Sequence, residues 1–583
     1  MKPYQGTRIV TLFFFLFLVF SIVTLSQSIH ALDTVRFAIM GDRTSGHVEG
    51  VYGKVLEEVE RMRPEIILSV GDYIEGHTED STVLDERWQE FKKIISIATS
   101  PFYFVPGNND IEFDIQERLF EKYASKTYYS FDYKYIHFIM VDNSRWENWG
   151  QMPAEQMKWL EDDLKAHADA AYTMVFMHKP FWYRTLSAGE GDLGHDLFVR
   201  YGVDAVFCGH FHTYFAGEYD GIKYTTIGSS GGGMMPGISG IGYQFGWVTV
   251  DDDGIHIVTI DHSAARAWDD VRADELRLKN TMELLGCVNT KLMVSDDNEI
   301  PEQTFDVTIR NYSGQYPLAD TLTWNAPDGW TITPMSSELN IAPGESQTLT
   351  FTASAAENVF AIPTAQYKFP TRENRTITGN HSLMYAKQAY ASKAKSIKID
   401  GKIDESCWQS PSNDFLKYDG TESKTDSTAF YFAWDKNNLY LAARCFDSDM
   451  SQLAANTTEQ DGPVYSEDCV GYFIQIDPTK PEVYQMYFSP NGVVFDQIHR
   501  KGSDGYYASD RSWNGTYEIK TSKLDNAWII EIAIPLSQFG VKLSNDNEIE
   551  LNFRRKQFRT HENGDWQIPI DSNPKTFGIL HLR

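Results

Sequence analysis

Between Val35 and Asp261 the chain alternates short apolar runs with amphipathic patterns, and this alternation constrains the fold more than any other feature. Runs such as VRFAIM and EIILSV have the length and residue types of buried strands. Between them, the segments VEGVYGKVLEEVERMR, RWQEFKKIISIA and AEQMKWLEDDLKAHAD carry apolar residues at the three- and four-residue spacing of helices. The alternation therefore predicts a layered α/β domain, which we place at residues 33–265.

Polar side chains follow these apolar runs at the points where strands are expected to end. The motifs are GDRT, GDYIEG, GNND, MHKP and GHFH, and they contribute Asp42, Asp72, Asn108, His178, His210 and His212. A lone histidine after a strand is more often a core residue, but ligands bind at strand ends in such sheets. Five such motifs in register therefore favour a metal site. Carboxylate, amide and imidazole donors without thiolates suit Mn, Fe or catalytic Zn.

After the α/β domain the sequence pattern changes from alternating strands and helices to strands. Residues 286–385 contain short alternating strands separated by turns such as APDG and APGE, which predict a small β-sandwich. Residues 393–583 contain many strands at regular spacing, which predict a larger C-terminal β-sandwich. The expected fold class is therefore a multidomain protein with one α/β domain and two all-β domains.

The N-terminus has the pattern of a secretory signal at residues 1–31. Two cations precede the apolar run IVTLFFFLFLVFSIVTL, and small residues follow, with cleavage expected after Ala31 or Ser28. The apolar run is long, so an uncleaved anchor is the alternative. No later segment is apolar enough to span a bilayer. We therefore expect a secreted or periplasmic protein with no membrane span after signal removal.

Net charge and cysteine content exclude two other classes of protein. The formal charge of -29 disfavours an electrostatic grip on nucleic acid. Five scattered cysteines are too few for a disulfide scaffold, and their odd number leaves at least one unpaired.

The motif order Asp, GD, GN, His and GHFH resembles the calcineurin-like metallophosphoesterase family. The resemblance implies a four-layer α/β fold and two metal ions that share a bridging carboxylate. In this scheme Asp72 would bridge the ions. The other ligands would be Asp42 and His212 for one ion, and Asn108, His178 and His210 for the second.

Two such ions would lower the pKa of a shared water, and the resulting hydroxide would attack phosphorus in line. The expected substrate is therefore a phosphomonoester or phosphodiester. The catalytic candidates are Asp72, Asn109 and His210, and the sequence offers no convincing Ser/His/Asp or Cys/His triad.

Two departures from the family pattern bear on activity. The first motif is usually DxH, but Thr44 stands at the histidine position, and Glu75 is a candidate replacement ligand or a solvated loop acid. Asn109 stands where the family has a histidine, and an amide cannot donate a proton in turnover. Loss of general acid catalysis costs about 10²- to 10⁴-fold in rate. The alternative is therefore a catalytically impaired metal-binding domain in a carbohydrate-binding protein.

The all-β regions also carry resemblances. TWNAPDGWTITP resembles the Ig-like modules of secreted bacterial glycosidases, which implies a spacer at residues 286–385. IDGKIDESCW, YFAWDKNNLYLAARCFD and SEDCVGYFIQID resemble the family 9 carbohydrate-binding module, a DOMON-like β-sandwich. This resemblance implies a polysaccharide or a cell-surface glycan as a partner.

Aromatic and planar polar side chains are the groups that hold sugars. Tyr465 and Trp513 are the stacking candidates, and Arg554 or Arg555 is the candidate hydrogen-bonding partner. Gly471 stands where the family commonly has an acid, and Tyr465 where it commonly has a tryptophan. We keep calcium as a further candidate ion in this C-terminal domain.

Overall fold

The computed structural model describes residues 32–583 except 236–237, 239–241, 262–263, 296, 357–360, 396, 410, 413–414, 416–424, 503–506, 546 and 569. The predicted signal at 1–31 lies outside these residues. The described chain forms two compact units that divide between residues 277 and 278. Among the helices of this part of the chain, none has the length and apolar character needed to cross a membrane.

The first unit alternates strands and helices as its sequence pattern predicts. Its strands are β1 (Val35–Met40), β2 (Ile66–Ser69), β3 (Phe102–Tyr103), β4 (Tyr129–Tyr133), β5 (Ile136–Met140), β6 (Tyr172–Phe176), β7 (Ala205–Cys208), β8 (Phe215–Tyr219), β9 (Ile222–Thr226), β10 (Gln244–Asp251), β11 (Gly254–Asp261) and β12 (Ala265–Ala267). Its helices are α1 (Val51–Met62), α2 (Ser81–Ile95), α3 (Asp114–Tyr123), α4 (Ala154–Ala166), α5 (Phe181–Thr185) and α6 (Leu193–Tyr201).

These elements form two six-stranded sheets, in the orders β12-β11-β10-β1-β2-β3 and β4-β5-β6-β7-β9-β8. One apolar core joins the facing sides of both sheets and contains Phe37, Phe138 and Phe176. Side chains of α1, α2 and α3 pack on the outer face of the first sheet. Those of α4, α5 and α6 pack on the outer face of the second. The predicted four-layer α/β arrangement is thereby confirmed.

Parallel pairing brings the candidate site together. β1 pairs with β2 in the first sheet, and β5, β6 and β7 are parallel neighbours in the second. The carboxyl ends of parallel neighbours lie at the same edge of a sheet, where ligand sites form. Asp42 and Asp72 follow β1 and β2, and His178 and His210 follow β6 and β7.

The second unit is rich in strands, as predicted, and it follows α7 (Ala273–Leu285). The strands of its first half are β13 (Cys287–Asn289), β14 (Leu292–Met293), β15 (Ile300–Arg310), β16 (Leu318–Asn325), β17 (Trp330–Thr333), β18 (Ser336–Ile341), β19 (Ser346–Ala355), β20 (Thr364–Arg372), β21 (Arg375–Ser382) and β22 (Tyr385–Ala386). Those of its second half are β23 (Gln388–Lys393), β24 (Thr428–Trp434), β25 (Asn438–Phe446), β26 (Cys469–Gln475), β27 (Glu482–Phe488), β28 (Val494–Lys501), β29 (Tyr507–Asp510), β30 (Glu518–Lys523), β31 (Ala527–Pro535), β32 (Glu548–Gln557), β33 (Glu562–Asp565) and β34 (Gly578–Leu582).

The first half contains two four-stranded sheets, β13-β15-β19-β17 and β18-β16-β20-β21, around one core. The Ig-like assignment of these strands stays a prediction. In the second half, eleven strands follow one ladder, and β33 pairs with β32. Phe432 and Ile530, from one part of this ladder, share a core with Tyr472 and Phe553 from the other. The ladder therefore folds over on itself around a single apolar layer.

The two β regions belong to one compact unit, although the sequence predicts a separate spacer. Lys291 shows how they are joined. Its ammonium group donates to the carbonyls of Pro574 (2.9 Å) and Phe577 (2.8 Å) and contacts the carboxylate of Glu550. A largely buried lysine that meets three acceptors fixes the two regions against each other.

A buried histidine links the second sheet to α4. His137 Nδ1 lies 2.7 Å from Asp132 and Nε2 lies 2.9 Å from Asp163, while the ring stacks on His167 at 3.8 Å. Burial alone lowers the pKa of His137, but hydrogen bonds to Asp163 and Asp132 outweigh it and raise this pKa above its usual value. Both ring nitrogens of His137 therefore lie against carboxylates that favour its protonated form.

We predict that the pH dependence of stability reflects this group. A raised histidine pKa contributes stability that is fully present below about pH 6.5, the unfolded value, and is lost as the pH rises through the folded pKa. His137→Gln should therefore cost about 2 kcal/mol at pH 6 and less at pH 9. Urea unfolding of the full chain at both pH values measures this difference. The exposed His256→Gln is the matched control, and an equal cost of His137→Gln at both pH values would contradict the prediction.

Candidate metal centre and C-terminal pocket

Asp72 lies at the centre of the candidate metal site and is 2% exposed. The Asn109 backbone amide donates to its Oδ1 (2.9 Å), and the Asn109 side-chain amide donates to its Oδ2 (2.7 Å). His178 Nε2 lies 3.4 Å from the same Oδ1. These contacts hold both carboxylate oxygens in place.

His178 and Asn108 approach Asp72 from two neighbouring loops. His178 Nε2 lies 3.0 Å from Asn108 Oδ1, and its Nδ1 donates to the Val70 carbonyl at 2.7 Å. Because a carbonyl can only accept, this contact places a proton on Nδ1 and directs Nε2 into the site. The His210 ring centroid lies 5.1 Å from that of His178.

Asp42 and His212 form the other side of the site. Asp42 is fully buried, its Oδ2 accepts the His210 backbone amide (2.9 Å), and His212 Nε2 lies 3.3 Å from that oxygen. The Gly233 carbonyl accepts a hydrogen bond from His212 Nδ1, which again directs Nε2 toward the carboxylate. Asp42 Oδ1 is buried without a hydrogen-bond partner.

These donors fit a metal centre. Ligand atoms of Asp42, Asp72 and His178 all lie within 4.8 Å of one another. The set of carboxylate, imidazole and amide donors, with an unpartnered buried carboxylate oxygen, suits divalent or trivalent ions. Burial lowers the pKa of His178, but the Asp72 carboxylate outweighs burial and raises it to about 9. Metal binding must therefore displace protons from the site.

Asp110 is a site residue that the sequence analysis missed. Its buried carboxylate accepts the backbone amides of Asp72 (2.7 Å), Tyr73 (2.8 Å), Ile74 (3.2 Å) and Gly107 (2.9 Å). Asp110 thus ties the loop after β2 to the loop after β3. The acid that follows GNN in the sequence is the signal that could have revealed it.

The structure does not bring every predicted ligand into the centre. Glu75 accepts hydrogen bonds from the Gly46 amide (3.3 Å) and His47 (3.1 Å), so its carboxylate pairs with a loop beside the site. The Thr44 hydroxyl donates to the Asp72 carbonyl (3.2 Å). Neither residue belongs to the convergent group of Asp42, Asp72 and His178.

A second cluster in the first unit brings ligand atoms of Asp132, His137 and His167 within 4.8 Å of one another. Both ring nitrogens of His137 already contact carboxylates. In this structure the cluster is therefore held together by hydrogen bonds between the imidazole and the two carboxylates.

In the C-terminal domain, two of the predicted sugar contacts, Tyr465 and Arg554, line a cavity of about 300 Å³. Tyr465 is 40% exposed, and its ring contacts Phe495 at 4.9 Å and Tyr487 at 6.2 Å. Arg554 donates to both oxygens of Asp565, at 2.8 and 3.0 Å, which fixes its guanidinium plane. The pocket therefore offers an aromatic surface beside an ordered planar donor.

The structure does not place Trp513 among the residues that line this pocket. Its ring packs 5.0 Å from Tyr484 and against the domain core. Arg555 points to the opposite face of β32 from Arg554, as alternation along a strand requires, and is fully buried. Among the described residues of this domain, no three His, Cys, Asp or Glu side chains bring ligand atoms within 4.8 Å of one another, and the calcium expectation stays a prediction.

Comparisons with known proteins match two separate parts of the chain. Residues 35–214 match the calcineurin-like phosphoesterase family, and residues 399–582 match the carbohydrate family 9 binding domain-like family. A solved family 9 carbohydrate-binding module from Caldicellulosiruptor kristjanssonii, in complex with cellotriose, aligns with a TM-score of 0.24 and 19% identity, over 34% of this chain and 93% of that chain.

Curated relatives match part of the chain. Purple acid phosphatase 21 of Arabidopsis thaliana is 28% identical over 231 residues, which cover 34% of this chain and 50% of the relative. A probable glycerophosphodiester phosphodiesterase, GpdQ of Arcobacter nitrofigilis, is 27% identical over 165 residues, which cover 26% of this chain and 57% of the relative. The chain thus spans about half the length of these two relatives. The polypeptide therefore combines a calcineurin-like phosphoesterase domain at residues 35–214 with a carbohydrate family 9 binding domain-like region at residues 399–582.

Proposed function

We propose that this chain is an exported, metal-dependent phosphoesterase that its C-terminal domain holds near a polysaccharide or cell-surface glycan. The convergence of Asp42, Asp72 and His178 within 4.8 Å is the observation that carries the proposal. Export rests on the signal-like segment at residues 1–31. Two bound ions would supply Lewis acidity, which lowers the pKa of water and neutralises charge on a phosphoryl group.

The chain's own residues prepare the site for this chemistry. Asn109 fixes both oxygens of Asp72, and backbone carbonyls fix the rings of His178 and His212 so that Nε2 of each faces the centre. Preorganised donors need no rearrangement when a substrate binds, which is the main source of electrostatic catalysis.

Asn109 also restricts the substrate. Its Nδ2 donates to Asp72 (2.7 Å) and to the Ser45 hydroxyl (3.1 Å), and its Oδ1 is buried without a partner. An amide at this position cannot protonate a departing alkoxide. The missing proton donor should therefore slow hydrolysis least for esters with acidic leaving groups, such as aryl phosphoesters.

The competing proposal is a metal-binding domain without turnover in a glycan-binding protein. It is favoured by the loss of imidazoles at Thr44 and Asn109 relative to the family pattern. Metal content separates the two proposals, because turnover by this mechanism requires two ions.

We predict two ions per chain in protein loaded with Mn²⁺ and freed of excess metal. Asp72→Asn should lose at least one ion because Asp72 lies between the two groups of donors. Glu75→Gln is the matched control and should keep both, since its carboxylate bonds to Gly46 and His47 instead. Elemental analysis of each protein gives the stoichiometry, with circular dichroism as a check on folding. One ion or none in the wild-type chain would favour the competing proposal.

We also predict that the Mn²⁺-loaded protein hydrolyses p-nitrophenyl phosphoesters and that Asp72→Asn abolishes this activity. Asn109→His should raise kcat/KM for an alkyl phosphoester by roughly 10²-fold, because an imidazole can protonate the leaving group. The leaving group of the aryl ester needs less protonation, so Asn109→His should raise kcat/KM less for that ester. Asn109→Gln, which keeps an amide, is the control. If none of these esters shows metal-dependent turnover, the enzymatic function is excluded.

A further inference from the structure

The C-terminal pocket has a charge opposite to that of the chain as a whole. The chain has a formal net charge of -29, but Arg511, Arg554 and Lys556 line this pocket. No aspartate or glutamate is among the described residues that line it. A cavity lined by one sign of charge raises the local concentration of ligands of the opposite sign.

Two of these three positive charges lack an acidic partner. Arg554 is paired with the buried carboxylate of Asp565 and adds no net charge. Lys556 Nζ donates to the Tyr465 carbonyl at 3.0 Å, and the Arg511 guanidinium lies 5.8 Å from the centroid of the Phe495 ring. Within the described part of the chain, neither Arg511 nor Lys556 has a carboxylate within 4.0 Å.

Gly471 leaves room for two residues of the pocket wall, Tyr487 and Arg554. A Cβ atom at this position would lie 2.5 Å from the Tyr487 ring and 3.2 Å from Arg554 Cγ. Any side chain here would displace the tyrosine and arginine that form the pocket wall. The glycine therefore keeps this wall of the pocket in place.

The other lining groups suit a sugar ring. The half-exposed face of Tyr465 lies beside Phe495, and apolar sugar faces pack on such surfaces. Gln485 and Gln497 also line the pocket: Gln497 Nε2 donates to Gln485 Oε1 at 2.5 Å, and Gln497 Oε1 is buried without a partner. The volume of about 300 Å³ lies at the lower end of the range for small-molecule sites, so the pocket suits a short segment of a glycan.

We infer that this pocket binds a glycan whose sugar carries an anionic substituent, a carboxylate or a sulfate ester, which meets Arg511 and Lys556. The inference rests on the proposed glycan binding and adds the chemical class of the ligand. Arg554 and the glutamines orient the ring, while the two unpaired cations select the acid. Charge-assisted contacts of this kind are about twice as strong as neutral hydrogen bonds.

The test is isothermal titration calorimetry on the full chain with matched sugars. The probes are glucose with glucuronate, galactose with galacturonate, and galactose 6-sulfate. We expect at least one acidic sugar to bind about tenfold more tightly than its neutral counterpart, with an affinity that falls as NaCl is added. Preference for the uronates or for the sulfate identifies the source of the charge, and either result supports the inference.

Variants separate charge recognition from sugar recognition. The double variant Arg511→Gln and Lys556→Gln should lose the acidic preference while keeping the affinity for the neutral sugar. Lys542→Gln, which changes an exposed lysine outside the pocket lining, should behave as the wild type. Tyr465→Ala should weaken both classes of sugar.

The outcomes that contradict the inference are distinct from those that contradict glycan binding. Equal or tighter binding of the neutral sugars by the wild type overturns the anionic class and leaves glycan binding intact. An acidic preference that survives in the double variant also overturns the assignment to Arg511 and Lys556. Absence of binding for every probe overturns glycan binding at this pocket, and the inference with it.

Discussion

The metal centre depends on one buried carboxylate that is not itself a proposed ligand. Asp110 accepts four backbone amides from the loops that follow β2 and β3, at 2.7 to 3.2 Å. These loops carry Asp72, Asn108 and Asn109. Four donors offset much of the cost of burying a carboxylate, and they remove the freedom of both loops. The donors for metal are therefore fixed by backbone contacts before any ion binds.

The backbone at the metal donors is itself unusual, and no sequence pattern predicts it. Asp72, His210 and His212 have φ values of 61°, 73° and 53°, in the left-handed region that non-glycine residues rarely adopt. Such conformations persist where surrounding contacts impose them, and they concentrate at functional sites. The spacing of the motifs indicated which residues meet, because strand ends share an edge. Their side-chain directions, including the diversion of Glu75 to His47, depend on loop contacts that the sequence does not encode locally.

The sequence predicts an element of the fold where its apolar periodicity is strong. It fails to do so where a helix cap or a single hydrogen-bonded side chain determines the structure. The apolar spacing of α1 and α4 gave those helices directly. α2 begins earlier than its pattern RWQEFKKIISIA suggests, because Asp80 caps it by accepting the amides of Thr82 and Val83. α3 buries only three of its ten residues, so its apolar stripe is too narrow to stand out from the sequence. Joining of the two β regions depends on Lys291, whose partners lie more than 250 residues away.

The two sites differ in the source of the positive charge that an anionic ligand would meet on this acidic protein. Near the metal centre, basic side chains are already neutralised: Lys179 pairs with Glu147 at 2.7 Å, and Arg43 pairs with Glu90. Positive charge for a phosphoryl group at that site must therefore come from bound ions. In the C-terminal pocket the opposite holds, because Lys556 has no carboxylate partner in the described structure and its charge stays available to a ligand. On a chain with a net charge of -29, anion binding at the first site therefore depends on bound metal ions. At the C-terminal pocket it depends on cations that no described acid neutralises.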